Sequence, residues 1–314
     1  MTFWHPYPQL EKELTQVQKM MTQAIKVKNP QTQAAILDIL NSGGKMLRPA
    51  YLLLFSEFTS LDHDKKVALA ASIELLHTAT LIHDDVIDKA TTRRGVPTIS
   101  HLYGNDVAVY AGDYLFVAVF RLMIKHALDL SNLSHRVNAM EKLLNGELGQ
   151  MNLRFNTDQT IDDYLDNISG KTAELFAQSC AIAPFADGQN RLAKLAYDIG
   201  LDIGIAFQIM DDYLDYTADA TTFGKPVLED IRQGIYSAPV LFALSADASV
   251  AELLKNQDFD AVFDIIKSSD ALIKTHDLAQ SYTQKALKNI AKLPDNPAKS
   301  DIRQITQQLL ERQL

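Results

Sequence analysis

The 314-residue chain carries 30 basic against 39 acidic residues, and its net charge of −9 excludes general nucleic-acid binding, which needs a basic surface. Hydrophobic residues make up 47% of it, enough for a substantial core in one large domain or two ordinary ones. Cys180 is the single cysteine, so an intrachain disulfide is excluded and a reducing cytoplasm fits.

In chain order, the pattern predicts helices almost end to end. The opening Met-Thr-Phe-Trp-His-Pro lacks the basic and apolar regions of a signal peptide. Gln9 to Lys28 is polar with apolar residues at helical spacing, an amphipathic first helix. Pro30 and the Gly43-Gly44 pair bracket a second, holding Ile36, Leu37, Ile39 and Leu40. A long apolar helix is expected over Lys66 to Ile87. Further helices are expected over Asn105 to Asp129, His135 to Phe155, Ile161 to Ile182 and Asn190 to Asp215. The most apolar stretch, Val107 to Ile124, is interrupted by Asp113 and Arg121 and reads as a buried helix, not a membrane span. Ala238 to Leu244 opens another apolar stretch. Beyond about residue 246 the pattern weakens, though Leu278 to Leu293 and Ile302 to Leu314 still look helical. The main breaks, Thr91 to Pro97, Phe185 to Asn190 and Thr217 to Pro226, are too short for interdomain linkers. Period-two strands are missing. The expectation is one soluble, cytoplasmic, all-α domain over residues 1–314 with no integral membrane segment.

The most informative pattern is acidic. Asp84-Asp85-Val86-Ile87-Asp88 recurs as Asp211-Asp212-Tyr213-Leu214-Asp215, each time at the end of an apolar run. Positions i, i+1 and i+4 of a helix lie within about 100° of arc, so each trio points its carboxylates one way. Desolvating an unpaired carboxylate costs roughly several kcal/mol. Hard divalent cations compensate, and Mg²⁺ takes a few carboxylate oxygens plus water and substrate phosphates in preference to a closed protein cage. The trios read as two metal-holding walls of one polyanion site.

Basic and polar residues are interleaved with them. Arg93-Arg94-Gly95 begins five residues beyond Asp88. Adjacent arginines near carboxylates read either as a surface ion-pair network or as a phosphate clamp, since guanidinium forks take phosphate oxygens in pairs. Gly43-Gly44-Lys45-Met46-Leu47-Arg48-Pro49 reads as a helix-capping turn or, in this company, as a second diphosphate grip. Lys171-Thr172, after Gly170, offers an ammonium and a hydroxyl together, and Gln208 shares the face of Asp211 and Asp212. Lys225, in Phe223-Gly224-Lys225-Pro226, is by itself an ordinary solvated lysine. Just after an acidic wall it becomes a cation that would stabilise a departing polyanion.

Over Gly43 to Leu244 the motifs GGKMLRP, LLHTATLIHDDVIDKATTRRG, AGDYL, GELGQM, GKTAELF, FQIMDDYLD and FGKP, in this order, resemble the trans-isoprenyl (polyprenyl) diphosphate synthase family. The resemblance implies an all-α isoprenoid synthase fold, a bundle of helices around a deep central cavity. It implies that Asp84, Asp85, Asp88, Asp211, Asp212 and Asp215 hold Mg²⁺, three ions per site with substrate bound, against an allylic diphosphate. Arg93, Lys171, Thr172, Gln208 and Lys225 would complete the allylic site, and Lys45, Arg48, His77 and Arg94 would hold isopentenyl diphosphate. By itself His77 reads as a satisfied core histidine. Glu147 and Gln150 read as polar groups lining the cavity or backing it. The implied reaction is ionisation of the allylic C–O bond, addition of the cation to isopentenyl diphosphate and loss of a proton, with water excluded.

In that family, bulky aromatics at the positions of Ala79 and Thr80 stop elongation early. Both are small here, with Leu76 and Ile73 beyond them, so a long product is expected, with Tyr110, Phe116 and Phe120 as candidates for the cavity floor. After Asp230 the chain departs from the family: Ile235 stands where many members carry Lys, followed by Ser237 and Ala238. That segment looks most like the catalytic component of two-component hexaprenyl or heptaprenyl diphosphate synthases, which implies a heterodimer with a small regulatory subunit, or a homodimer. The alternatives are a short-chain farnesyl or geranylgeranyl diphosphate synthase and a terpene-cyclase-like enzyme, which would not need the grip of Lys45, Arg48 and Arg94. An inactive regulatory subunit would be expected to lose one trio, and a metal-binding structural protein would not explain the interleaved basic residues.

Overall fold

The structure, a computed structural model, describes residues 3–42, 44–93, 95–126, 130–217 and 229–310, apart from the side chains at 130–139, 143 and 229. Gly43, Arg94, Lys225 and the end of the helix expected to reach Asp129 lie outside these residues. In chain order the elements are α1 (Pro8–Ala24), α2 (Pro30–Asn41), α3 (Leu47–Ser56), α4 (His63–Ile87), β1 (Thr92–Arg93), β2 (Val96–Pro97), α5 (Ile99–Tyr103) and α6 (Asn105–Lys125). Then come α7 (Leu130–Leu153), α8 (Ile161–Ile168), a π-helical turn (Ser169–Ala173), α9 (Glu174–Ala186) and α10 (Asn190–Thr217). The last are α11 (Glu229–Arg232), α12 (Ala238–Ala246), α13 (Ser249–Lys255), α14 (Phe259–Ser268), α15 (Ala271–Ile290) and α16 (Pro297–Leu310). The all-α expectation holds, with one small addition: β1 and β2 pair antiparallel as a hairpin where a plain break was expected.

Residues 1–136 and 179–196 form one compact unit. In it α4 is packed by α1, α3 and α6. From Val67 to Leu76 its residues are buried on every side, which is why apolar residues there run consecutively and not at helical intervals. Ser72 and Thr78 donate back to the carbonyls of Ala68 and Glu74, so burying these hydroxyls leaves no unmet donor. Asp62 opens α4 by accepting from the Lys65 amide, and Asn29 caps α2 in the same way. Within the segment Gly43 to Pro49, expected as a helix-capping turn or an anion site, Met46 caps α3, a helix that was not expected and whose continuous apolar run, Tyr51 to Phe55, is wholly core.

α6 meets α4 through Gly112. A Cβ there would lie 2.4 Å from His83 Nε2, so only glycine lets the imidazole donate to the Val109 carbonyl at 3.2 Å, beside the Asp113 carboxylate at 3.4 Å. The opposite side of α6 is exposed and apolar at Tyr110, Val117 and Ile124. By length and hydropathy α6 meets the requirement for a membrane span, and 44% of that window is buried within the chain. Tyr110, at 74% exposure, lies on the outer side of the helix, and the Phe116 ring packs tilted against His83, with centroids 5.6 Å apart. That corrects the expectation for Tyr110 as a cavity floor within this chain.

Residues 137–178 and 197–314 form the second unit. Its core joins Ile205, Ile209, Met210 and Leu214 of α10 to Val240 and Leu241 of α12, Val262 and Ile266 of α14, and Ala279 of α15. Each large aliphatic buried there contributes about 1.5–3 kcal/mol. The region past residue 246 is more helical than its polar sequence announced, because α13 and α14 are short amphipathic pieces that bury only Val250, Leu254, Phe259, Val262 and Ile266.

Asp202 on α10 provides a test of electrostatics in this unit. Burial raises its carboxyl to about 6, against the opposing pull of Lys285 and a 3.4 Å hydrogen bond from Asn289. A folded-state pKa above the unfolded value means the ionised form destabilises the fold. The cost is absent below about pH 4, grows between about pH 4 and pH 6 and is constant above. Asp202→Asn is therefore expected to raise the melting temperature at pH 8, by the equivalent of about 1–2 kcal/mol after discounting for solvent, and to leave it unchanged at pH 4. Equal shifts at both pH values would refute this.

Candidate active site

The first acidic trio closes α4. Asp85, the middle residue, is 2% exposed and accepts from Arg93 Nε at 2.7 Å, while Asp84 is half-buried and Asp88 exposed. Burial outweighs the Arg93 guanidinium and leaves the Asp85 carboxyl above its ordinary range. The local backbone explains the pairing. Lys89 takes a left-handed conformation at φ 53° and the Ala90 amide donates to the Asp85 carbonyl, so the chain turns back at the helix end and β1 carries Arg93 to Asp85, while Thr98 Oγ1 donates to the Ala90 carbonyl. Arg93 is thus in the ion-pair arrangement expected as one of its two alternatives, and the bond uses Nε of its fork.

Arg48 on α3 and His77 on α4 meet at 3.2 Å, Nη1 to Nε2. A guanidinium can only donate, so His77 Nε2 accepts in this bond. Lys45 precedes α3 in the same loop as Met46, the left-handed residue at its N-terminus. Of the chain-length residues, Thr80 is half-buried one turn before Asp84, with its hydroxyl on the His77 carbonyl. Leu76 is buried a further turn back. Ala79 is fully buried and one turn before His83, so it shares the side that packs on α6 and not the side of Asp84.

In the second unit the trio on α10 repeats the same gradation. Asp212, the middle residue, is 8% exposed; Asp211 is half-buried and Asp215 exposed. Both oxygens of Asp212 are engaged, one by the Tyr164 hydroxyl at 2.6 Å and the other by the Gln208 amide at 2.8 Å. Burial pushes its carboxyl up to about 8 against these two bonds. The Thr172 hydroxyl donates to Gln208 Oε1 at 2.7 Å, completing a chain from the π-helical turn to the trio.

Gly200, Gly204, Gln208 and Asp212 recur every fourth residue along one face of α10. At Gly200 a Cβ would fall 2.5 Å from the Phe176 carbonyl of α9 and at Gly204 2.5 Å from the Ala173 Cα of the π-helical turn, so this seam draws α10 onto both, on the face that carries Gln208, which reaches Thr172. The turn itself splits the helix expected over Ile161 to Ile182. Such bulges insert one residue into a helix and occur often at functional sites. Here it presents Lys171, whose ammonium donates to Gln150 at 2.7 Å and pairs with Glu147 at 3.1 Å. Both partners lie on α7, where they back Lys171, one of the two roles expected of them. Glu174, 3% exposed, is held by the Tyr197 hydroxyl and by Gln178 at 2.7 Å, with Lys142 at 3.6 Å. Ile235, half-buried, follows Gly234, whose carbonyl accepts from the Phe155 amide at 2.8 Å and whose φ of +76° suits glycine. Tyr164, Glu174 and Tyr197 went unnoticed in the sequence. The only available signal was a tyrosine on the apolar side of α8, whose start is a capping box between Thr160 and Asp163.

As a metal site the carboxylates supply hard oxygen donors. Among the described residues no three His, Cys, Asp or Glu side chains form a preassembled cluster. That fits an ion held by one or two carboxylates together with phosphate oxygens and water, and does not fit a closed cage. The outer residues of each trio are the more exposed ones, and the middle residues are bonded by Arg93 in the first and by Tyr164 and Gln208 in the second.

A family model described as polyprenyl synthetase matches residues 29–272. The crystal structure of geranylgeranyl pyrophosphate synthase from Lactobacillus brevis is 42% identical, superposes with a TM-score of 0.94 and shares 98% of this chain and 99% of its own. Heptaprenyl diphosphate synthase component 2 of Geobacillus stearothermophilus is 36% identical over 95% of each chain. The heptaprenyl diphosphate synthase structure from Staphylococcus aureus is 31% identical over 96% of this chain and 98% of that one, with a TM-score of 0.91. Two acidic trios on long helices, the first bonded by Arg93 and the second by Gln208 and Tyr164, stand in a fold these proteins share: the chain belongs to the polyprenyl synthetase family and is a prenyltransferase, a prenyl diphosphate synthase.

Proposed function

We propose that the chain condenses isopentenyl diphosphate with an allylic diphosphate of farnesyl or geranylgeranyl type, giving a long all-trans polyprenyl diphosphate, with Mg²⁺ as cofactor. The observation that carries this reading is the hydrogen-bonded chain from Thr172 through Gln208 to Asp212, with the cation Lys171 next to Thr172 on the same turn and bonded to Gln150 and Glu147. Asp84, Asp88, Asp211 and Asp215 would hold the ions, and bound Mg²⁺ would neutralise charge developing on the leaving diphosphate. Lys171, Arg93 and Lys225 would orient the allylic diphosphate as its C–O bond ionises. Lys45, Arg48, His77 and Arg94 would hold the isopentenyl diphosphate whose double bond takes up the cation. The released diphosphate would accept the proton.

A long product is supported by Thr80, small and partly exposed on the Asp84 side of α4. A geranylgeranyl product is the second reading, favoured by the 42% identical Lactobacillus brevis protein of that name. For a partner, the likeness to a component 2 protein and the exposed Tyr110, Val117 and Ile124 on α6 support an associated subunit, either a second copy or a small regulatory chain. The single buried cysteine supports a reducing cytoplasm.

The test is incubation of the purified chain alone with labelled isopentenyl diphosphate, Mg²⁺ and a series of allylic primers. Consumption is expected only with a primer, with products longer than geranylgeranyl diphosphate. Thr80→Phe is expected to shorten the product with turnover retained, whereas Ala79→Phe should chiefly destabilise by overpacking against α6. Unaltered chain length in Thr80→Phe would sink the long-chain account. Consumption restored only by an added small subunit would identify the heterodimer.

A further inference from the structure

The segment ahead of α1 is anchored on the loop that carries Lys45. The indole Nε1 of Trp4 donates to the Lys45 carbonyl at 2.7 Å, and the Lys45 ammonium stands 5.3 Å from the centroid of the Phe3 ring. Phe3, Trp4 and Tyr7 pack edge to face, with centroids 4.8 and 6.4 Å apart, and Trp4 is only 6% exposed. Immediately after the bonded carbonyl, Met46 adopts φ 47° and ψ 43°. A left-handed backbone costs a residue with a side chain about 1–2 kcal/mol and persists only where the surroundings over-determine it. Here the surroundings are the indole bond on one side and, on the other, the Ala50 amide donating to the Met46 carbonyl at 3.0 Å. Arg48, bonded to His77, follows in the first turn of α3. Phe3 and Trp4 lie ahead of the residues the family model matches, which begin at 29.

We propose that Trp4 and Phe3 are positioning residues for the isopentenyl diphosphate grip: Trp4 fixes the backbone of the Lys45–Met46 turn, and the Phe3 ring orients the Lys45 ammonium. The inference rests on the assignment of Lys45 to that grip. A cation held over a ring face is already partly ordered, so less freedom is lost when it meets a diphosphate. The indole bond also keeps Lys45 in register with Arg48. Loss of either aromatic should therefore weaken one substrate selectively and leave the chemistry alone.

Trp4→Phe keeps an aromatic ring and removes the donor. Steady-state kinetics are expected to show KM for isopentenyl diphosphate raised about tenfold, with kcat and the allylic KM within about twofold. Phe3→Leu should raise the same KM about threefold and Phe3→Tyr should restore it. If Trp4→Phe does not fold, that pair decides the question alone. Lys45→Ala should raise the KM further, and adding Trp4→Phe to it should change nothing more, because both act through one ammonium. An unchanged KM in Trp4→Phe and Phe3→Leu beside a raised one in Lys45→Ala overturns the positioning role. So does a fall in kcat for both substrates that tracks a lower melting temperature. An unchanged KM in Lys45→Ala overturns the assignment of Lys45 itself.

Discussion

Asp212→Asn is expected to yield a protein that melts later and turns over about 10²–10³-fold more slowly. Asp212 is the most deeply placed carboxylate of its trio, and its two partners, Tyr164 and Gln208, are neutral donors. Burying a charge against neutral partners costs free energy, so the residue is a poor choice for stability. Asn preserves the shape: its oxygen can take the Gln208 bond, and its amide can donate to the Tyr164 oxygen once that hydroxyl turns. Burial pushes the carboxyl up to about 8, so the cost is absent below about pH 4, grows with pH and is complete above about pH 8; measured above pH 8, its relief should raise the melting temperature by about 2–4 °C, the shift that about 1 kcal/mol produces in a large domain. Function moves the other way, because the substitution removes negative charge from the acidic wall beside Asp211 and Asp215. Thermal melting in chelator and turnover under saturating substrates would be measured on the same preparation. A lower melting temperature with unchanged turnover would show that Asp212 is a structural carboxylate only.

The opposed signs follow from a gradation that the two trios share and that their spelling conceals. Reading i, i+1 and i+4 as one face treats the three carboxylates as equivalent. That much was legible because helical phase is local. The middle residue of each is buried and the last is exposed, and this depends on what packs across the helix. For Asp85 the deciding partner is Arg93, eight residues on and brought back by the turn at Lys89 and Ala90. For Asp212 it is Tyr164, 48 residues away on α8. The pairing of Lys171 with Glu147 and Gln150 was hidden for a related reason. Residues 161 to 182 have uninterrupted helical character, and only the crossing with α7 and α10 accounts for the π-helical turn. The long helices, by contrast, were readable to within a few residues, because burial on α4 and α10 leaves continuous or periodic apolar signals.

Gly146→Ala is expected to lower turnover about 10²-fold, whereas Gly149→Ala, three residues along in the same GELGQM motif, should leave it unchanged. A Cβ at Gly146 would lie 2.5 Å from the Lys171 amide nitrogen and 2.7 Å from the Gly170 carbonyl carbon. Both are backbone, so no side chain can rotate away. Either α7 or the π-helical turn must shift, and Lys171 is carried with it away from Gln150 and Glu147. A displacement of about 1 Å in a positioning group is enough for a loss of about 10²-fold, and the overpacking itself should destabilise by about 1–3 kcal/mol. At Gly149 the nearest atom to an added Cβ is Asn167 Nδ2 at 3.7 Å, an ordinary contact. Alanine there replaces a glycine inside α7 and should stabilise by about 0.5–1 kcal/mol. The pair separates the two roles a glycine can have in one motif, close backbone approach at the first and mere tolerance at the second. Turnover and melting temperature that fall together in Gly146→Ala, while Gly149→Ala gains stability at full activity, would tie the placement of Lys171 to the approach of α7. Equal behaviour of the two variants would dissolve that link and return Lys171 to an ordinary surface-facing cation.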